Sequence, residues 1–155
     1  MRCRFAVSLL LHACAPEAKL FHIKIFNENG MGASGSVRGD EALFAKALEV
    51  SGARGATIVN ISAGLPRSMA TDEDLLDRNL ICSCRICSAA RDMVLRGGAS
   101  VFAAAGNAGQ PSRNWMCPAA GPCVTAVVGL KGKEPLFASA NLARFTYGLL
   151  ARIIL

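Results

Sequence analysis

The run Gly98-Ala99-Ser100-Val101-Phe102-Ala103-Ala104-Ala105 constrains this chain more than any other segment, because a short apolar run bounded by glycine reads as a strand. Thr57-Ile58-Val59-Asn60-Ile61 has the same character, and a last strand is expected near residues 124–128. Leu20-Phe21-His22-Ile23-Lys24-Ile25-Phe26 is a further β-rich run, ended by the turn formers Asn27-Glu28-Asn29-Gly30. Helical patterns lie between these runs. From Asp40 the residues Ala42, Leu43, Ala45, Ala47, Leu48 and Val50 recur at helical spacing, with acidic residues at the start and Gly52 at the end. Thr71-Asp72-Glu73-Asp74 opens a second pattern, and Leu75, Leu76, Leu80, Ile86, Met93, Val94 and Leu95 line one broad face. Strands alternating with helices predict an α/β fold: a mainly parallel sheet with helices on both faces and active loops at the strands' carboxyl ends.

With 52% hydrophobic and 18% charged residues, the 155-residue chain has ample core material, which excludes disorder and coiled coil. The formal charge of +6 is scattered singly from Arg2 to Arg152, so no nucleic-acid partner is expected. No run approaches the roughly 18 apolar residues of a membrane span. Arg2 and Arg4 precede an apolar run at residues 5–11, and Ala13-Cys14-Ala15 has the form of a signal cleavage site, but His12 interrupts the pattern. Residues 1–12 are therefore read as the remnant of a core helix or a signal-like segment, and localisation stays open.

Gly30-Met31-Gly32-Ala33-Ser34-Gly35 fits the dinucleotide pattern G-x-G-x-x-G, but the strand at 57–61 ends without an acidic ribose ligand. A glycine-rich surface loop is the simpler reading. Cys82, Cys84 and Cys87 crowd three of seven cysteines into six residues. A structural zinc site needs four ligands, and the cluster falls in an expected helix where Cys84 and Cys87 share a face while Cys82 points elsewhere. Cys117 and Cys123 complete a set only if the fold happens to bring them there. The expectation is small buried hydrophobes, no metal and no cofactor. The odd count argues against a fully paired disulfide framework.

The segment Ala104-Ala105-Gly106-Asn107, followed by Met116-Cys117-Pro118-Ala119 and Val124-Thr125-Ala126-Val127-Val128-Gly129, carries the most information. With Gly30-Met31-Gly32 and Val59-Asn60-Ile61-Ser62-Ala63-Gly64, this order closely resembles the subtilisin-like serine proteases over residues 13–141. The resemblance implies that Asn107 donates its amide to the oxyanion formed in peptide cleavage. It implies that Gly30, Met31 and Gly32 face Ser62, Ala63 and Gly64 across an extended peptide bound as an added strand. Ala104, Ala105 and Gly106 match one wall of the pocket for the side chain before the scissile bond. Met116 matches its far side, where the family often has Gly, and implies a shallow pocket.

The family's catalytic Asp, His and Ser motifs are not found here: there is no D-[ST]-G, H-G-T or G-T-S-M-A. His12 and His22 read as packed or partly solvated, and no G-x-S-x-G elbow occurs. The expectation is a partial subtilisin-like domain at 13–141, truncated at both ends, with a divergent tail at 142–155. It retains the substrate-binding backbone and oxyanion Asn of a serine endopeptidase, lacks the triad, and is inactive alone. A non-catalytic peptide-binding α/β module is the alternative, and a nucleotide- or metal-binding domain a more distant one. The expected partner is a polypeptide substrate or extended peptide.

Overall fold

The computed structural model describes residues 2–25, 37–68, 82, 84–105, 114–121, 123–131, 134–135 and 149–151. The chain divides into two compact units, Met1–Asp40 and Glu41–Leu155.

In the first unit, α1 (Arg2–Cys14) incorporates the apolar run at 5–11. It closes with Ala15 N–H donating to Leu11 O at 2.8 Å, and a turn follows in which Ala18 N–H donates to Ala15 O at 3.0 Å. The strand expected over 20–26 is not formed at residues 20–25, which have no regular structure. A β-rich sequence becomes a strand only when a neighbour pairs its backbone. No described strand pairs with this segment. His22 is exposed rather than in a sheet, with Nε2 at 3.4 Å from Ser8 Oγ.

α2 (Val37–Ala53) begins earlier than the expected Asp40 and crosses the boundary between the units. Its inward face is Phe44, Ala45, Leu48 and Ser51, at helical spacing. The buried Ser51 hydroxyl is satisfied by donating to Ala47 O at 2.8 Å.

The second unit is built on a parallel sheet whose strands follow the expected apolar runs. β1 (Ile58–Ile61) pairs with β3 (Ser100–Ala104), and β3 with β5 (Thr125–Lys131). β7 (Leu149–Ala151), from the tail, continues the parallel order on β5, while β6 (Glu134–Pro135) returns antiparallel on β5. The period of two is visible in β3, where Val101 and Ala103 are buried and Ser100 is exposed. Register places Ile61, Ala103 and Ala126 side by side, and all three are buried.

Between β1 and β3 runs α3 (Arg85–Leu95), which rests on β3. It buries Ile86, Cys87, Ala90 and Met93, the i, i+1, i+4, i+7 face of an amphipathic helix. Ile86 is fully buried, a contribution of about 1.5–3 kcal/mol for one such side chain. Residues 71–74 of the expected longer helix lie outside the described residues. Two short strands, β2 (Leu65–Ser68) and β4 (Asn114–Cys117), form a separate antiparallel pair.

Candidate functional site

Parallel strands deliver their loops to one end of the sheet, and two of the expected walls leave from there. β1 ends at Ile61 and continues as Ser62-Ala63-Gly64. β3 ends at Ala104, and Ala105 prolongs its pairing by donating its N–H to Val127 O at 3.0 Å. The exposed Asn60 side chain donates to Ser62 Oγ at 3.1 Å, bracing the exit from β1.

The β2–β4 pair then brings the third expected element alongside. Leu65 is opposite Cys117 and Pro66 opposite Met116. A Cβ at Gly64 would lie 3.1 Å from Met116 Cε and 3.1 Å from the Cys117 carbonyl oxygen. Only glycine permits this approach without displacement of its neighbours. The structure thus joins Gly64 to Met116 and sets Ala104 and Ala105 at the end of the adjacent strand. Gly30, Met31, Gly32, Gly106 and Asn107, the residues expected to form the opposite rail, the end of the near wall and the oxyanion donor, lie outside the described residues.

Behind this rim lies a group that the sequence reading discounted. Cys82, Cys84, Cys87 and Cys117 have sulfur atoms all within 4.8 Å of one another, with Cys82 and Cys117 at 3.4 Å. The expectation that the cluster sits inside a helix is met only by Cys87: α3 starts at Arg85, Cys84 is its N-cap in extended conformation, and Cys82 precedes it. Cys84 Sγ accepts the Cys87 N–H at 3.4 Å, so a sulfur takes the place of the usual capping oxygen. The Arg85 N–H, another orphan donor of the first turn, goes to Glu41 Oε1 of α2 at 2.8 Å. Cys82 is freed from the helical direction by this cap and turns toward Cys117.

The thiols perturb one another strongly. Hydrogen bonding with Cys117 holds Cys82 down at about 7 and lowers Cys84 as well. The deeper Cys87 and Cys117 are pushed up, mainly by hydrogen bonds within the group and then by burial. The signal available in the sequence was the C-x-C-x2-C spacing. Cys117, thirty residues beyond Cys87, carried no local mark that would have joined it.

No protein-family model matches the chain, and no curated protein matches it. Solved structures do. The chain is similar to the prenylagaramide maturation protease PagA, with a TM-score of 0.55 and 25% identity over 72% of this chain and 37% of that one. A lanthipeptide protease gives a TM-score of 0.59 and 21% identity over 81% of this chain and 36% of that one. The PatG macrocyclase, solved in complex with a peptide, gives a TM-score of 0.55 and 19% identity over 72% of this chain and 31% of that one. The chain spans about a third of the length of these structures.

Proposed function

We propose that this chain, whose fold is that of the subtilisin-like proteases, supplies the peptide-binding groove and oxyanion donor of a serine endopeptidase. The observation that carries the reading is the close approach of Gly64 to Met116, since it joins one backbone rail of such a groove to the far wall of its side-chain pocket. An extended peptide is the ligand this arrangement favours. A rail of small residues leaving a strand end offers main-chain hydrogen bonds and little side-chain obstruction. Ser62, Ala63 and Gly64 form that rail, with Gly30, Met31 and Gly32 proposed opposite. Ala104, Ala105 and Gly106 form the near wall of the pocket, and Met116 narrows it to small or slender side chains. Asn107, two residues beyond Ala105, is assigned to the developing oxyanion.

The sequence holds no Asp, His and Ser motif of the family, so the chain by itself binds peptide without cleaving it. Extended peptides titrated by calorimetry should bind, and binding should weaken in Gly32→Pro, which removes a donor and fixes φ on the opposite rail. Casein and fluorogenic peptides should remain intact. Binding indifferent to Gly32→Pro would sink the groove assignment, and turnover blocked by a fluorophosphonate would sink the inactivity.

A further inference from the structure

We infer that Cys82, Cys84, Cys87 and Cys117 form a closed tetrahedral site for one structural Zn²⁺ ion. The inference stands apart from the peptide-binding reading, because it uses none of the residues assigned to the groove.

Three stretches of chain converge on this point: the residues ahead of α3, the first turn of α3, and the end of β4. Zinc–thiolate bonds of about 2.3 Å place tetrahedral sulfurs roughly 3.8 Å apart. Sulfurs already within 4.8 Å of one another reach that spacing by side-chain rotation of a fraction of an ångström each. Ordinary core packing does not account for the set. Cys82 and Cys84 are only half-buried, yet they turn onto the two buried thiols. Four soft sulfur ligands select zinc among the abundant divalent ions, and a complete set of protein ligands leaves no open position for catalysis.

The surroundings suit the charge of such a centre. Binding converts four thiols and Zn²⁺ into a dianionic tetrathiolate with release of up to four protons, and no electron is transferred. Cys84 sits at the amino end of α3, where the helix dipole favours negative charge, and the Cys87 N–H already points at its sulfur. Such N–H donation to a ligand sulfur is the outer-shell support that orients a metal ligand. Space behind the cluster is closed as well. A Cβ at Gly121 would meet Cys87 Sγ at 3.1 Å and Pro118 O at 3.0 Å. The ion would fasten Cys117, and with it the strand carrying Met116, to the first turn of α3.

The test uses the full chain, purified reduced, loaded with zinc chloride and freed of excess metal. Elemental analysis should find one zinc per chain, and Co²⁺ loading should give the strong charge-transfer absorption of a tetrahedral tetrathiolate. Cys87→Ser and Cys117→Ser should each weaken zinc binding by more than the roughly 10–100-fold that loss of an outer-shell partner costs. Cys14→Ser and Cys123→Ser, at exposed thiols outside the group, should bind as the parent does. Cys84→His preserves a four-ligand set, so it should retain zinc and shift the cobalt spectrum even where the serine variants fail to fold. Absence of stoichiometric zinc in the reduced chain would overturn the inference. So would zinc retained undiminished in a folded Cys117→Ser protein, an unchanged cobalt spectrum in Cys84→His, or metal-free chain whose four cysteines map as two disulfides that bind no zinc once reduced.

Discussion

Met116 and Cys117 are consecutive residues of β4, yet one meets Gly64 at the rim of the proposed groove and the other is fully buried among thiols. The alternation of a strand puts neighbouring side chains on opposite sides, so two residues of one element face two different tasks. Their surroundings differ in tolerance. Met116 is itself a flexible thioether set against the half-exposed Gly64, whereas Cys117 is held by three sulfurs and the buried turn at Pro118 and Ala119. The rim of the proposed groove is therefore open to variation in size, while the cluster demands particular atoms at particular distances.

The largest expected effect removes the foundation on which the cluster stands. Ile86→Ala should lose about 2–5 kcal/mol, because a fully buried aliphatic side chain leaves a cavity under the first turn of α3. Urea unfolding should show a lower midpoint at unchanged slope. A loss below about 1 kcal/mol would mean that α3 is not the base of this half of the molecule.

Gly121→Ala comes next, at about 1–3 kcal/mol, since its Cβ would press on Cys87 Sγ and the Pro118 carbonyl oxygen. Under the zinc inference this variant should also bind metal more weakly, while peptide affinity stays near that of the parent. Equal damage to both would break the division between cluster and rim.

Gly64→Ala should cost about 1 kcal/mol and act on the other side. Met116 Cε can swing away from the added methyl, but the Cys117 carbonyl oxygen cannot. Replacing Met116 as well should therefore recover only part of the loss, which a double-mutant cycle measures directly. Complete recovery would show that the side chain alone sets the approach.

Met116→Gly should leave zinc content unchanged and broaden the peptide side chains accepted, read by calorimetry over a set that varies one position. The smallest effect belongs far from both. Lys46 and Glu49 pair at 3.0 Å on the exposed face of α2, and Lys46→Ala should change stability by no more than about 0.5 kcal/mol in the same urea titration.

Much of the sheet was legible residue by residue. The apolar runs at 57–61, 98–105 and 124–128 became β1, β3 and β5, because the strands of a parallel sheet advertise themselves by short apolar content between helical patterns, even in β1, where Ile58 is exposed and only Ile61 is buried. The run at 20–26 had comparable β-propensity without becoming a strand at residues 20–25, and its local sequence contained nothing to separate the two cases. β2 and β4 escaped notice for the opposite reason. Leu65-Pro66-Arg67-Ser68 is short and carries a proline that a central strand rejects, but in a two-stranded pair both strands are edges.

The strands β1, β3 and β5, the presence of α2 and α3, and the family resemblance could be read from the chain alone, since each rests on periodicity or on motifs within a few neighbouring residues. The inward faces were legible only in part, because Leu43 and Leu95, expected on them, are exposed, while Phe44 is buried instead. Tertiary structure alone decided that Gly64 meets Met116 and that Cys117 joins Cys82, Cys84 and Cys87. Those meetings depend on where a chain returns after fifty or thirty residues, and packing between elements sets that path. The cap at Cys84 shows the same division on a small scale. Its sulfur can take the Cys87 amide or lie within a longer helix, and the end of α3 that places Cys82 beside Cys117 was chosen by the fold around it.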